Sequence, residues 1–489
     1  ATAALACLAA AASVRLATAA LACIAAACSP EPATGPAGAE APGRHTAAAR
    51  SVVLFTIDTL RADRLSPYGN RAYATPAAER LSQQALVFDK AYAQGDNTNP
   101  AVTSFLTGLT PPRHGVLSQV TGTRPDVVTL PAMLSSQGVA TGSFVANLCK
   151  LQDVDGSVFS EGWGERFCGM DEHTPQHAWG TACVDAGMAW IAERQAANEP
   201  FFAWIHLMDP HSEYNPRPQH WDHRGDPLRQ KIPQLRYYSA FEETRRPPPA
   251  DELARLNALY DAEVKGADEE LMRMLDFLET LPGSDEVALL FSADHGEELY
   301  ETWHRIGHGF SLTEGVLRVP LMIRAPGLAP GRVDAPVETL AITPTILDLM
   351  GVSPPYELDG RSLLAGPPER PYARSYTWPM VVSVRSADAR YWLRESEVPP
   401  DREHANWRLE APWFLRKECM ASYEPSAPNA PQWVELEQLE LDAPGAALRS
   451  AGRRTMQEGQ EGAADLSEIT DPAYLEQLIQ LGYIERPER

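Results

Sequence analysis

Cysteine is scarce in this chain, with seven in 489 residues, and three of those fall within the first 28. The other four, Cys149, Cys168, Cys183 and Cys419, include no Cys-x-x-Cys spacing, which argues against zinc held by thiolates. Basic residues are also in deficit: 42 Lys and Arg stand against 65 Asp and Glu, a formal charge of −23. Phosphate backbones are gripped by clustered Lys and Arg, so no nucleic acid is expected as a partner. An anionic ester is still admissible where metal charge and local His and Arg outweigh the global field. Long apolar runs are missing after residue 28: no later stretch offers the roughly 18 uninterrupted apolar residues of a membrane helix, so the body of the chain is expected to be soluble. What is present suits a large enzyme with a sizeable core, 44% hydrophobic and longer than one average domain.

The first 28 residues are small and apolar, with Arg15 the only charge. Leu16 to Ala27 has the length of a signal-peptide core, and Ala25-Ala26-Ala27-Cys28 reads as a lipoprotein-type cleavage site, with Cys28 as the lipid-bearing residue. A cleaved soluble signal and an Ala-rich membrane helix are the alternatives. Ala1 to Cys7 recurs as Ala17 to Cys23 and no Met opens the chain, so a natural start near Val14 is expected. Residues 29–50 read as an Ala/Pro/Gly-rich tether. These features predict export to the periplasm or cell envelope, where disulfides form; Cys149 with Cys168 is the expected pair, being joined by a short Gly-rich loop.

Strand-like and helix-like segments alternate, which predicts an α/β fold with a mostly parallel sheet covered on both faces. The strand candidates are Val52 to Ile57, Val139 to Val145, Phe201 to Leu207, Val287 to Ser292 and Val319 to Arg324. From Asp251 to Leu281 the residues Leu253, Leu256, Leu259, Leu271, Leu275 and Leu278 recur at helical spacing, a core-facing stripe. Pro216 to Pro249 is too long for an ordinary connection, so it reads as an insertion facing substrate or a mobile loop.

Three distant segments place metal-binding or nucleophilic side chains just after apolar runs: Thr56 to Asp63, Asn97 to Pro100, and Ser292 to Glu298. In an open α/β sheet, groups beyond the carboxyl ends of the strands converge on one site. That brings together Asp58, Asp294 and His295, a donor set suited to Zn²⁺ or Mn²⁺, with Ca²⁺ or Mg²⁺ less favoured because one donor is an imidazole. The Thr98 hydroxyl beside it could be ionised into a nucleophile and share the metal.

The order of motifs resembles the sulfatase branch of the alkaline phosphatase superfamily. Besides these segments it runs through Thr107-Gly108-Leu109, Met208-Asp209-Pro210-His211, Tyr260-Asp261-Ala262-Glu263, Gly307-His308-Gly309, Leu317-Arg318-Val319-Pro320, Thr343-Pro344-Thr345 and Leu358 to Leu363, spanning residues 51–365. The resemblance implies an alkaline phosphatase-like catalytic domain over 51–365. It also implies a C-terminal subdomain over 366–489 built on a small antiparallel sheet, with strands near Met380 to Val384 and Tyr391 to Arg394 and a closing helix at Leu475 to Tyr483. Trp407, Trp413 and Trp433 are expected to pack it onto the main domain.

The nucleophile position departs from the family pattern. Sulfatases carry Cys or Ser in Cys-x-Pro-x-Arg and oxidise it to formylglycine; aligned on Pro100 and Thr107-Gly108, this chain has Thr98 and, in place of Arg, Val102. Oxidised Thr would be a ketone, so no formylglycine is expected. Phosphodiesterases and phosphoethanolamine or glycerolphosphate transferases of the superfamily use a metal-bound Thr, and Thr59, where sulfatases usually have a second Asp, points the same way. By resemblance His211 and His308 would hold the non-bridging oxygens and protonate the leaving group. They could alternatively bind a second metal with Asp209. His206 and His304 read as structural, Arg61 and Asp63 as braces of the first loop, and Glu297 and Glu298 as either supporting groups or exposed helix-start acids. The expected activity is hydrolysis of phosphate mono- or diesters, with a small-molecule, glycan or lipid head-group ester as substrate. Transfer is disfavoured because the transferases carry membrane helices. Sulfate-ester hydrolysis and a catalytically idle glycan-binding lipoprotein are the alternatives.

Overall fold

The computed structural model describes residues 47–146, 149, 152, 156–171, 173–212, 214–221, 249–301, 306–309, 311–366, 372–377, 381–386, 389–394, 419–422, 433–435 and 443–463. The signal segment with Cys28, most of the tether, His304, Trp407, Trp413, the Leu475 to Tyr483 helix and most of Pro216 to Pro249 lie outside them, as does the Trp433 side chain.

The main sheet has eight strands: β1 (Ser51–Ile57), β2 (Leu86–Phe88), β3 (Ala140–Val145), β4 (Glu165–Cys168), β5 (Phe201–Leu207), β6 (Val287–Ala293), β7 (Leu321–Arg324) and β8 (Gly331–Val333), in the order β8-β2-β7-β6-β1-β5-β3-β4. The strands β6, β1, β5, β3 and β4 run parallel; β7 runs antiparallel to β6 and β2, and β8 runs parallel to β2. The sheet is therefore mostly parallel, as expected. Every residue of β1, β5 and β6 is buried, the continuous apolar signature of strands covered on both faces.

One expected strand is two. Val319 pairs with Ala91 in a small separate sheet, whereas Leu321 to Arg324 pair with β6. Pro320 lies at the switch, where a residue without an N–H ends one ladder before the next begins. The short or polar strands β2, β4 and β8 carry no long apolar run and were not legible in the sequence.

The principal helices are α1 (Pro76–Gln84), α2 (Thr98–Thr107), α3 (Gln176–Ala196), α4 (Ala250–Thr280), α5 (Ile342–Met350) and α6 (Ala443–Ala463). The Leu stripe of α4 faces inward as expected: Leu256, Leu259, Leu271, Leu275 and Leu278 are buried and Leu253 packs partly buried at the margin. On burial of about 25 cal/mol per Å², each such Leu contributes roughly 1.5–3 kcal/mol. Cys149 and Cys168 are disulfide-bonded, Cα atoms 5.7 Å apart, at the end of β4; Cys183 is a buried thiol in α3.

The C-terminal strands β9 (Tyr372–Thr377), β10 (Val381–Ser386), β11 (Ala389–Arg394), β12 (Cys419–Ser422) and β13 (Trp433–Glu435) form an antiparallel sheet in sequence order, against which α6 packs. This is the small second sheet that the resemblance implied.

Candidate active site

Strand register builds the site. Ile57 of β1 lies opposite Leu207 of β5 and Ala293 of β6, so the three carboxyl ends are level, and Asp58 and Asp294 emerge side by side. Asp58, Asp294 and His295 are fully buried and offer ligand atoms that all lie within 4.8 Å of one another. His295 Nε2 is 3.5 Å from Asp294 Oδ2 and 3.9 Å from Asp58 Oδ1. Asp294 Oδ1 accepts the backbone N–H groups of Thr59, at 3.2 Å, and His295, at 2.7 Å, while its Oδ2 is buried without a hydrogen-bond partner. A buried carboxylate oxygen left so costs several kcal/mol unless a cation meets it. Donor chemistry and the orphaned oxygen both fit a divalent ion with mixed oxygen and nitrogen ligation.

Thr98 is the first residue of α2, all ten residues of which are buried, and its Oγ1 lies 3.3 Å from His295 Nε2. The helix N-terminus directs its positive end at this hydroxyl, which favours an alkoxide there. Val102, one turn on, is in the hydrophobic core, so the Arg of the sulfatase motif has no counterpart at that position.

Two further imidazoles continue from His295 of the triad. The ring centroids of His295 and His308 are 4.4 Å apart, and those of His308 and His211 5.0 Å. His308 Nδ1 is 3.0 Å from Glu297 Oε1, which fixes the ring and leaves Nε2 as its working atom. His211 Nδ1 is bonded to the Ser212 carbonyl, and Gln176 Nε2 donates to the His211 carbonyl at 2.7 Å. Asp209, joined to Pro210 by a cis peptide, is buried, and burial raises its carboxyl pKa. No second group of three convergent metal donors occurs among the described residues, so the alternative of a second ion on Asp209, His211 and His308 finds no support there.

Glu297 and Glu298 are both buried: Glu298 Oε2 accepts from Thr313 Oγ1 at 2.6 Å. They are not exposed helix-start acids. Arg61 and Asp63 brace the first loop as expected. Arg61 is buried, forks onto both Asp63 oxygens at 2.9 and 2.7 Å, and reaches the Glu297 carbonyl at 3.1 Å and Glu301 at 2.7 Å. It thus ties the Asp58 loop to the His295 loop. His206 is structural in the sense expected, with Nδ1 2.8 Å from Thr56 Oγ1, but it also stands at the edge of the site, with Nε2 3.9 Å from Asp58 Oδ2. Burial pushes its pKa down to about 4.

Tyr260 of α4 was missed as a site residue. Its hydroxyl donates to the Thr59 carbonyl at 2.7 Å and accepts from Arg61 N at 3.0 Å. The clamp holds Thr59 at φ 57°, a left-handed conformation costly for a β-branched residue. That turn points the Thr59 N–H at Asp294. In the sequence Tyr260 stood out only as the first residue of the motif Tyr260-Asp261-Ala262-Glu263, with no role attached to its hydroxyl.

A family model for sulfatases matches residues 50–352. Among characterised proteins, the choline-sulfatase of Rhizobium meliloti is 30% identical over 176 residues, 32% of this chain and 33% of that protein. A sulfatase of Formosa agariphila is 24% identical over 369 residues, 64% of this chain and 72% of that protein. The match thus spans only a third of the first of these relatives. The phosphonate monoester hydrolase of Agrobacterium radiobacter superimposes with a TM-score of 0.60 at 18% identity, covering 84% of this chain and 96% of that one. A structure in complex with its substrate D-glucosamine-2-N,6-O-disulfate gives 0.59 at 17%, covering 87% and 99%. With the family model covering well over half its length, the chain belongs to the sulfatase family.

Proposed function

We propose that this protein hydrolyses phosphate mono- or diesters through Thr98. The observation that carries the reading is the Thr98 hydroxyl 3.3 Å from His295, at the N-terminus of a buried helix and beside two buried carboxylates. Asp58, Asp294, His295 and Thr98 would hold a divalent cation, Zn²⁺ or Mn²⁺ by donor type, whose chemistry there is to acidify the hydroxyl and neutralise anionic charge. Thr98 Oγ, its proton released to solvent, forms the Oγ–P bond in line as the bond from phosphorus to the leaving oxygen breaks. His308 or His211 supplies the proton that the leaving alkoxide takes. Water then attacks the phospho-threonine, giving one proton to the histidine that protonated the leaving group; the P–Oγ bond breaks, and Thr98 Oγ takes a proton from solvent to restore the hydroxyl.

Hydrolysis rather than head-group transfer is the reading proposed; among the described residues no helix is long and apolar enough to cross a membrane. Two phosphonate monoester hydrolases among the similar folds are compatible with phosphorus chemistry, although at 18% and 20% identity they bear on the fold alone. The substrate would be a small-molecule, glycan or lipid head-group ester. Export, with Cys28 lipid-modified, is part of the proposal; the Cys149–Cys168 disulfide suits an oxidising compartment. Radiolabelled fatty acid incorporated by the parent and lost in Cys28→Ser is the expected result, and equal labelling of both would overturn the anchor.

Sulfate-ester hydrolysis is the second reading, favoured by the named sulfatases among the relatives. The deciding experiment compares aryl phosphate monoester, phosphate diester and sulfate ester turnover by metal-supplemented protein and its Thr98→Ala variant. Phosphate-ester turnover falling about 10³-fold or more in the variant is expected. Sulfate turnover that survives in Thr98→Ala would overturn the mechanism. Inactivity towards all three esters, together with the absence of a tightly held metal, would favour the idle binding protein.

A further inference from the structure

Gln94 is fully buried, four residues before Thr98, and its side-chain amide uses all four of its hydrogen-bonding valences. Oε1 accepts from Thr339 Oγ1 at 3.0 Å and from Leu340 N at 2.7 Å. Nε2 donates to the carbonyls of Tyr92, at 2.9 Å, and Arg374, at 3.3 Å. Reversing the amide would set the NH₂ group against an N–H and the oxygen against two carbonyls, so the orientation is determined by its partners.

Those partners lie on three separate parts of the chain: the short strand Ala91–Tyr92, the turn Thr339–Ala341 that leads into α5, and β9 of the C-terminal sheet. Two further bonds fasten the same stretch to β9. Tyr376 N donates to the Gln94 carbonyl at 2.9 Å, and Ser375 Oγ to the Ala93 carbonyl at 2.6 Å.

The following residues carry this anchorage to the nucleophile. A Cβ on Gly95 would stand 3.1 Å from Pro100 Cβ and 3.2 Å from Ala101 N, so this backbone lies directly on the first turn of α2. Gly309 N donates to the Asp96 carbonyl at 2.8 Å, tying the same stretch to the loop that bears His308. Asn97 is the N-cap of α2 and Thr98 its first residue.

We propose that Gln94 is a positioning residue, through which the C-terminal sheet and the entry to α5 set the place of Thr98 Oγ1 relative to His295. The inference rests on Thr98 being the nucleophile. A tie of this kind matters because a misplacement of about 1 Å at a reacting atom can cost about 100-fold in rate.

The test compares Gln94→Met, Ser375→Ala, Ser375→Thr and Thr98→Ala with the parent, each checked for folding and metal content. For Gln94→Met, kcat is expected to fall about 100-fold with KM within about threefold and the metal retained, because Asp58, Asp294 and His295 stay in place while Thr98 shifts. Ser375→Ala should lose kcat several-fold and Ser375→Thr, which keeps the hydroxyl, should recover it. A folded Gln94→Met protein with parental kcat overturns the inference while leaving the Thr98 reading intact, provided that Thr98→Ala is inactive. Parental turnover in Thr98→Ala sinks the nucleophile itself. Should Gln94→Met fail to fold, parental kcat in Ser375→Ala overturns the inference in its place. Crystal structures of parent and Gln94→Met supply a readout that needs no substrate: an unchanged Thr98 Oγ1 to His295 Nε2 separation would also overturn it.

Discussion

At the scale of single residues, the site works by burying acids and giving each a defined partner. Glu297 is the clearest case, a fully buried carboxylate whose Oε1 meets His308 Nδ1 at 3.0 Å. Such a partner selects the tautomer and holds the ring, and its removal typically costs 10–100-fold. Glu297→Gln is therefore expected to reduce kcat about 10- to 100-fold while the bound metal, measured by elemental analysis after dialysis, stays stoichiometric. Parental kcat would mean that His308 does not act in the rate-limiting chemistry. Asp294→Asn should behave oppositely. It alters a donor whose Oδ2 is buried without a hydrogen-bond partner, so divalent-ion affinity should fall by about tenfold or more in a calorimetric titration, and undiminished affinity would move the metal elsewhere. Asp58, Asp294 and His295 were legible in the sequence because each directly follows a buried apolar strand, and strand ends converge for topological reasons. Tyr260 showed only as part of the motif Tyr260 to Glu263 and Gln94 not at all, because their roles depend on partners 201 and 245 positions away that no local pattern announces.

At the scale of elements, continuous apolar runs gave β1, β5 and β6 almost to the residue, and the Leu stripe gave α4, because burial on both faces or along one stripe imposes a sequence period. Strands two to four residues long, such as β2 and β8, leave too few positions for any period to show. The segment Val319 to Arg324 was read as one strand because its side chains are apolar from Val319 to Ile323; the backbone at Pro320 divided it. The packing of α2 rests on another detail invisible at this level, the buried His114 just beyond it. Its Nε2 lies 2.9 Å from Ser104 Oγ of α2, and its Nδ1 accepts from Val116 N at 3.1 Å, so the ring is neutral and Nε2 is the donor. Burial pushes its pKa from 6.5 to about 3. In the unfolded chain the same ring takes a proton below about 6.5, so its stabilising contribution is complete above that pH. The contribution drains as pH falls towards 3, by at most about 1.4 kcal/mol per unit. The difference in Tm between the parent and His114→Gln should therefore narrow between pH 7 and pH 4. A difference that stays constant over that range would show that the ring does not titrate in this way.

At the scale of the whole molecule, the charge of −23 and the chemistry of the site oppose each other. Phosphate mono- and diesters and sulfate monoesters are anions, and the field of the protein repels them until they are within reach of the cation that Asp58, Asp294 and His295 would hold, and of His211 and His308. The Debye length is about 30 Å at 0.01 M salt and about 8 Å at 0.15 M, so salt shortens the reach of the global field while leaving the buried site largely unscreened. The acidic surface should thus hinder encounter at low salt more than at high salt, the reverse of an enzyme that steers its substrate. For an aryl phosphate, kcat/KM is expected to rise about two- to fivefold between 10 and 150 mM of a non-coordinating salt, with kcat little changed. A kcat/KM that falls with salt would place a positive funnel around the mouth of the site strong enough to override the global charge. Its residues would then be sought on the loops that rim the carboxyl ends of β1, β5 and β6.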